Sequence, residues 1–136
     1  MDSTAVRTTL ALTLLGDLPM PLTVHLEYRV EDPYAVHARF DVGTDTQVRW
    51  VFARDLLDEG IVHPVGDGDV HVSPRIDSWA GHTVQIELSS GDGIAVLEAS
   101  SQDVLAFLEQ CYQLVPPGFE SAYLDVDAAL ERLLGS

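Results

Sequence analysis

Three features of the sequence predict an α+β fold. Apolar and polar residues alternate with period two over the first two thirds, turn chemistry recurs between the alternating runs, and the periodicity becomes helical after Ser100. The expected architecture is antiparallel sheets of about seven strands, followed by a C-terminal helix and a short final helix. At 136 residues the chain has the size of one domain, expected over 1–136. With 46% hydrophobic and 21% charged residues it lies far from the composition of disordered chains.

The alternation is cleanest over 21–31, where Leu22, Val24, Leu26, Tyr28 and Val30 share one face and Thr23, His25, Glu27, Arg29 and Glu31 the other. The run before it repeats the pattern, with Val6, Leu10, Leu12 and Leu14 opposite Arg7, Thr9 and Thr13, so strands are expected over about 5–14 and 21–31. Gly16-Asp17 and Pro19 punctuate the connection. Asp32-Pro33 is read as a turn, since proline fixes φ and biases its predecessor away from helix. Val36, Ala38, Phe40 and Val42 then carry a third strand, Gly43-Thr44-Asp45 a second turn, and Val48, Trp50 and Phe52 a fourth strand. Short loops make these four antiparallel neighbours, because a parallel return needs a long crossover.

Residues 53–59 read as a short helix, with Leu56 and Leu57 as anchors and Gly60 at the position of a C-terminal capping glycine. Gly66-Asp67-Gly68 opens a strand through Val70, Val72 and Ile76, whose end Pro74 consigns to a sheet edge or bulge. Residues 82–88 and 94–99 pair as a hairpin about Gly91-Asp92-Gly93. Val104, Leu105, Phe107, Leu108, Cys111, Tyr112 and Val115 then recur at helical spacing after a Ser100 or Ser101 cap. Pro116-Pro117-Gly118 ends that helix, and Asp125 is placed to cap the final one over 126–134.

Charge is the most unusual feature: 22 acidic side chains face seven arginines and no lysine, a net of −15 at neutral pH. Nucleic-acid binders draw most of their affinity from cationic side chains on phosphates, so the balance argues against nucleic acid and against anionic membrane surfaces. Without an ε-amine there is no Schiff-base catalysis and no P-loop lysine. The start of the chain lacks the pattern of a signal peptide, and no apolar run approaches the length of an integral membrane segment. A cytoplasmic protein acting on other proteins is expected.

Candidate chemical sites are sparse. His25 and His37 lie on the outward faces of strands two and three, as cross-strand neighbours or several ångströms apart according to register, and no further zinc-type spacing accompanies them. Asp67-Gly68-Asp69 opens like a calcium loop but lacks the later ligands, and reads as a hairpin turn. Cys111 falls on an apolar helix face, where a buried thiol is inert. Arg29, Arg39 and Arg49 share the outward faces of three successive strands as a local basic ladder. Glu27, Glu31 and Asp41 stand among them, so cross-strand ion pairing is the favoured reading. No catalytic residue, metal or cofactor is expected.

The runs Leu18-Pro19-Met20-Pro21, Tyr28, Asp32-Pro33-Tyr34-Ala35-Val36-His37, Trp50-Val51-Phe52-Ala53-Arg54-Asp55-Leu56-Leu57, Gly60 and Gly66-Asp67-Gly68-Asp69-Val70 resemble the SsgA-like proteins of actinomycetes. The C-terminal half agrees more loosely, through 86–89, Phe107-Leu108, Val115-Pro116-Pro117-Gly118 with Glu120, and Asp125-Val126-Asp127. The loop Asp77–Gly81 and Cys111, where threonine is expected, depart from the pattern. The resemblance implies a non-catalytic regulator of sporulation-specific cell division that helps localise the tubulin-like protein FtsZ at the septum, together with SsgA-type proteins. It further implies a Whirly-like architecture and a homotrimer. Whirly-like folds include single-stranded nucleic-acid binders, the alternative function, although fold alone does not transfer activity. Most of the signature reads as structural: Asp32-Pro33 setting a hairpin, Trp50 and Phe52 as core anchors, Asp55 capping the helix or pairing with Arg54. The partner-facing surface is left open.

Overall fold

The computed structural model describes residues 4–41, 47–77 and 81–123; Val42 with the turn expected at Gly43-Thr44-Asp45, and the helix expected over 126–134 with its Asp125 cap, lie outside the described residues. Four strands, β1 (Ala5–Leu14), β2 (Met20–Arg29), β3 (Asp32–Asp41) and β4 (Gln47–Ala53), form an antiparallel meander. Its register aligns the apolar faces: Leu10 lies opposite Val24, Val24 opposite Phe40, and Val36 opposite Phe52. A one-residue slip would turn each of these rows to solvent, so the alternating pattern itself fixes the pairing.

Helix α1 (Arg54–Gly60) leads into a second antiparallel meander of β5 (Val65–Asp67), β6 (Val70–Asp77), β7 (Gly81–Ser90) and β8 (Gly93–Ser100). Strands β1 and β8 join the two through Thr13 opposite Glu98 and Leu14 opposite Leu97, extended by the Leu15 amide donating to the Val96 carbonyl at 2.8 Å. The result is one eight-stranded sheet, ordered β4-β3-β2-β1-β8-β7-β6-β5, curled into a half-barrel. Helix α2 (Ser101–Leu114) packs against β1, β7, β8 and α1. Val24, Tyr28, Val36, Val72, Val84, Leu97, Phe107 and Leu108 form the centre of a continuous core between sheet and helices.

The α+β expectation therefore holds, with eight strands in place of about seven. The additional strand is β5, three residues that read as turn chemistry because Gly66-Asp67 dominates it. It forms because Val65–Asp67 can pair back on 70–72 once Gly68 supplies a positive φ of 60° in the turn. Pro74 sits as expected in the part of β6 that has run past β5 and pairs only with β7.

Three local readings need correction. The β2–β3 turn is Val30-Glu31, and Asp32-Pro33 already belongs to β3; buried Pro33 accepts a 2.8 Å hydrogen bond at its carbonyl from the Tyr28 hydroxyl. Ser100 occupies the N-cap of α2 but makes no side-chain capping bond. Gly60 is the last residue of α1 and has no positive φ; Ile61 is the cap. What Gly60 provides is close approach, because a Cβ there would overlap the Val72 side chain of β6. Gly60→Ala is expected to cost about 1–3 kcal/mol by overpacking. Val72→Ala added to it should recover part of the loss in urea unfolding, and simple additivity of the two changes would refute the steric account.

Candidate functional site

Because side chains alternate across a strand, the residues that do not enter the core make the opposite face of β1–β4, and there the sheet forms a groove of about 930 Å³. Register sets its rows. One runs Thr9–His25–Arg39–Arg49, the next Arg7–Glu27–His37–Val51. Arg7, Arg29, Arg39 and Arg49 line this groove against Glu27, Glu31 and Asp32, and Asp41 stands on the same face beyond the lining, so on a chain of strong net negative charge this face is close to charge balance.

The four arginines divide into two kinds. Glu27 accepts from Arg7 Nε at 2.6 Å and from Arg29 Nε at 2.8 Å, and Arg29 also reaches Glu31 at 3.3 Å. The bond from Arg29 contributes most to holding the Glu27 carboxyl below its ordinary range. The expected cross-strand ion pairing is not what forms: Arg29 pairs with Glu27 and Glu31 two positions away along its own segment, the cross-strand pair is made by Arg7, which the ladder of Arg29, Arg39 and Arg49 did not contain, and Asp41 takes His25. Arg39 and Arg49 differ. They lie directly opposite each other in register, and among the described residues neither has a hydrogen-bond or ion-pair partner. Arg39 Nε is buried without an acceptor.

His25 lies opposite Arg39 and His37 opposite Glu27, so the two imidazoles are diagonal and not direct neighbours. Each instead takes a carboxylate: His25 Nε2 is 2.9 Å from Asp41 Oδ2, and His37 Nε2 is 2.9 Å from Asp32 Oδ2. The His25 bond leads in holding the Asp41 carboxyl low. Thr9 Oγ1 lies 3.3 Å from the other His25 nitrogen, fixing the ring on both sides. Among the described residues no three His, Cys, Asp or Glu side chains converge as a metal site would require.

The other sequence candidates are dispersed. Gly68-Asp69 forms the β5–β6 turn and Gly91-Asp92 the β7–β8 turn, with Gly93 at φ 138°. Cys111 is fully buried, and burial pushes its thiol up to about 12, which leaves it protonated and unreactive at neutral pH. A smaller, mainly apolar depression of about 310 Å³ opens where the two meanders meet, lined by Phe40, Val48, Trp50, Ile94 and Leu97 among others. Trp50 stands half-buried at its rim, while Phe52 is a core anchor as expected.

One constellation escaped sequence reasoning. Arg54, only 1% exposed, does not pair with Asp55, which remains on the surface. Its guanidinium lies between the rings of Tyr28 and Tyr112, 5.1 and 4.8 Å from their centroids. It donates to the Tyr28 hydroxyl at 3.0 Å, to the Val115 carbonyl at 2.7 Å and to Glu120 Oε1 at 2.5 Å. Burial pushes the Tyr28 phenol up to about 12, against the pull of Arg54, so it remains a neutral hydroxyl. Three distant stretches, β2, the start of α1 and the segment after α2, are tied at one buried cation. Closed to solvent, this cluster holds the fold together. The sequence signal for it was the recurrence of Tyr28, Arg54, Val115 and Glu120 among the residues that carry the resemblance.

A sequence profile of the family described as "Streptomyces sporulation and cell division protein, SsgA" matches residues 22–120, which include most of β2, all of β3 and β4, and the Tyr28–Arg54–Glu120 cluster. The sporulation-specific cell division protein SsgB of Kineococcus radiotolerans is 52% identical over 118 residues, covering 86% of this chain and 70% of the relative. That of Saccharopolyspora erythraea is 44% identical over 135 residues, covering 98% and 94%. The crystal structure of an SsgA-like sporulation-specific cell division protein from Thermobifida fusca superposes with a TM-score of 0.90 at 41% identity, over 98% of this chain and 100% of that one. The sequence agreement extends over most of the chain and the backbone agreement over nearly all of it, and the chain belongs to the SsgA family of sporulation and cell division proteins.

Proposed function

We infer that this protein is a non-catalytic adaptor of sporulation-specific cell division, which binds other proteins and helps to localise FtsZ to septa. The observation that carries this reading is near full-length kinship with proteins named sporulation-specific cell division protein SsgB. The groove is compatible with it, because it presents charged side chains to a protein partner, Arg7 and Arg29 paired with Glu27 and Arg39 and Arg49 open. Among the described residues no helix is long and apolar enough to cross a membrane. In this reading the protomers form a homotrimer of Whirly-like architecture, and SsgA-type proteins are co-partners. Single-stranded nucleic acid is the competing ligand, but three carboxylates interleave the groove arginines and the chain carries −15 overall. Immobilised protein is expected to retain purified FtsZ, and a fluorescent fusion to reach future septa before the division ring. Absence of FtsZ from the resin together with a late or diffuse signal would overturn the adaptor role.

A further inference from the structure

Arg39 and Arg49 form a row of like charge in which neither guanidinium has an acceptor among the described residues, and Arg39 Nε is buried and unbonded. Like charges directly opposite one another in a sheet are destabilising, and a buried unmet donor adds to the cost. Among the described residues neither guanidinium finds an acceptor, Asp41 beside Arg39 being bonded to His25 and Gln47, whereas Arg7 and Arg29, a few residues away on the same face, are satisfied by Glu27 and Glu31. Arg49 lies on β4, which among the described residues is the outer edge of the sheet. Val51, two positions on and therefore on the same face, is 55% exposed. An open strand edge, two unmet guanidinium groups and an exposed apolar side chain at the spacing of alternate strand residues thus coincide.

We propose that the edge of β4 and the groove beside it bind an extended acidic segment of a partner protein, which adds as a strand to β4 and places a carboxylate on Arg49 and Arg39 and an apolar side chain on Val51. Main-chain hydrogen bonds supply affinity in this mode, and the alternate side chains supply specificity. The bidentate fit of guanidinium to carboxylate accounts for arginine at both positions. Pairing of β4 with the β4 of a second copy is disfavoured, because it would bring a further Arg49 to a row already of like charge. A nucleic-acid strand is also a poor occupant, since its run of phosphates would meet Glu27, Glu31 and Asp32, whereas a peptide need bring only one or two carboxylates. The proposal rests on the adaptor reading only for the statement that the occupant is protein.

The test uses the full chain and a short fluorescein-labelled peptide repeating Thr-Asp-Thr-Val, with its Asn-for-Asp twin and labelled oligothymidylate as controls, in fluorescence anisotropy. The Asp peptide is expected to bind, with the Asn twin and the Arg49→Gln variant each weaker by roughly tenfold. Arg49→Gln should leave the thermal midpoint unchanged or raise it by on the order of a degree, because it removes a repulsion. Arg49→Lys, which keeps the charge but not the fork, should recover only part of the affinity. The proposal is overturned by equal binding of the two peptides, by undiminished binding in the Arg39→Gln/Arg49→Gln double variant, or by no binding of the Asp peptide up to about 1 mM. It is equally overturned by arginine-dependent binding of oligothymidylate, or by self-association that the double variant abolishes. Retention of FtsZ by wild type and double variant alike would remove this site and leave the adaptor role standing; peptide binding without any retention of FtsZ would do the reverse.

Discussion

Arg54→Ala is expected to destabilise the fold by about 3–5 kcal/mol, the usual consequence of removing one member of a buried ion pair. The loss has several parts. Glu120 and the Val115 carbonyl lose a donor, the Tyr28 hydroxyl loses a partner, and the space between the two tyrosine rings is left empty. A decrease of this size is a large fraction of the total stability of a domain this small. Glu120→Gln should cost less, since the amide oxygen can still accept from the guanidinium. The apolar pair Arg54→Met with Glu120→Leu should recover much of the alanine loss, because the expense of desolvating both charges disappears with them. Urea unfolding measures all three variants. A decrease below about 1 kcal/mol for Arg54→Ala would show that the cluster is incidental.

The same pair predicts an acid dependence. Burial by itself pushes the Glu120 carboxyl up, but hydrogen bonds from backbone amides and from Arg54, together with the arginine charge, bring it to a net position below its ordinary value of 4.5. A carboxyl lowered in the folded state stabilises that state fully above its unfolded value, and the contribution is lost as pH falls through the folded value. Stability should therefore decline with acidification from about pH 5 downward. Glu120→Gln should flatten that decline, and an unchanged slope would remove Glu120 as its source.

Phe107→Ala should be comparably severe, about 3–5 kcal/mol, equivalent to a fall of roughly ten degrees or more in thermal midpoint. Phe107 is 1% exposed at the contact of α2 with the sheet, beside Val104, Leu108 and Cys111. Leu105→Ala is the matched control. Leu105 is 42% exposed, and its truncation should change stability by no more than about 0.5 kcal/mol. Comparable losses for the two would mean that the helix docks by a different face from the one the structure gives it.

This pair also shows how far the sequence could be read. Helical spacing after Ser100 was evident, and α2 begins at Ser101, but Leu105 and Phe107 were equal members of one apolar stripe. Periodicity identifies a face only to within the width of that stripe, and contact with β1, β7 and β8 decides which residues lie at its centre. Strand β1 matched its expected bounds of 5–14 because a one-sided strand displays its period directly. Strand β5 was missed because three residues hold too little of any period. The candidate site was half legible: alternation placed Arg29, Arg39 and Arg49 on one face, yet only the register showed that Glu27 satisfies Arg7 and Arg29 while Arg39 faces Arg49.

From sequence alone came the fold class, the first meander, the β7–β8 hairpin, the membership of strand faces and the charge of the whole chain, because each depends on local period, turn chemistry or composition. Only the folded structure decided that β1 joins β8, that Arg54 reaches Glu120 across 66 positions, and that Gly60 must lack a side chain because Val72 lies against it. Those outcomes depend on which distant residues meet. Pairing of that kind is a property of packing in three dimensions, and no single stretch of the chain carries it.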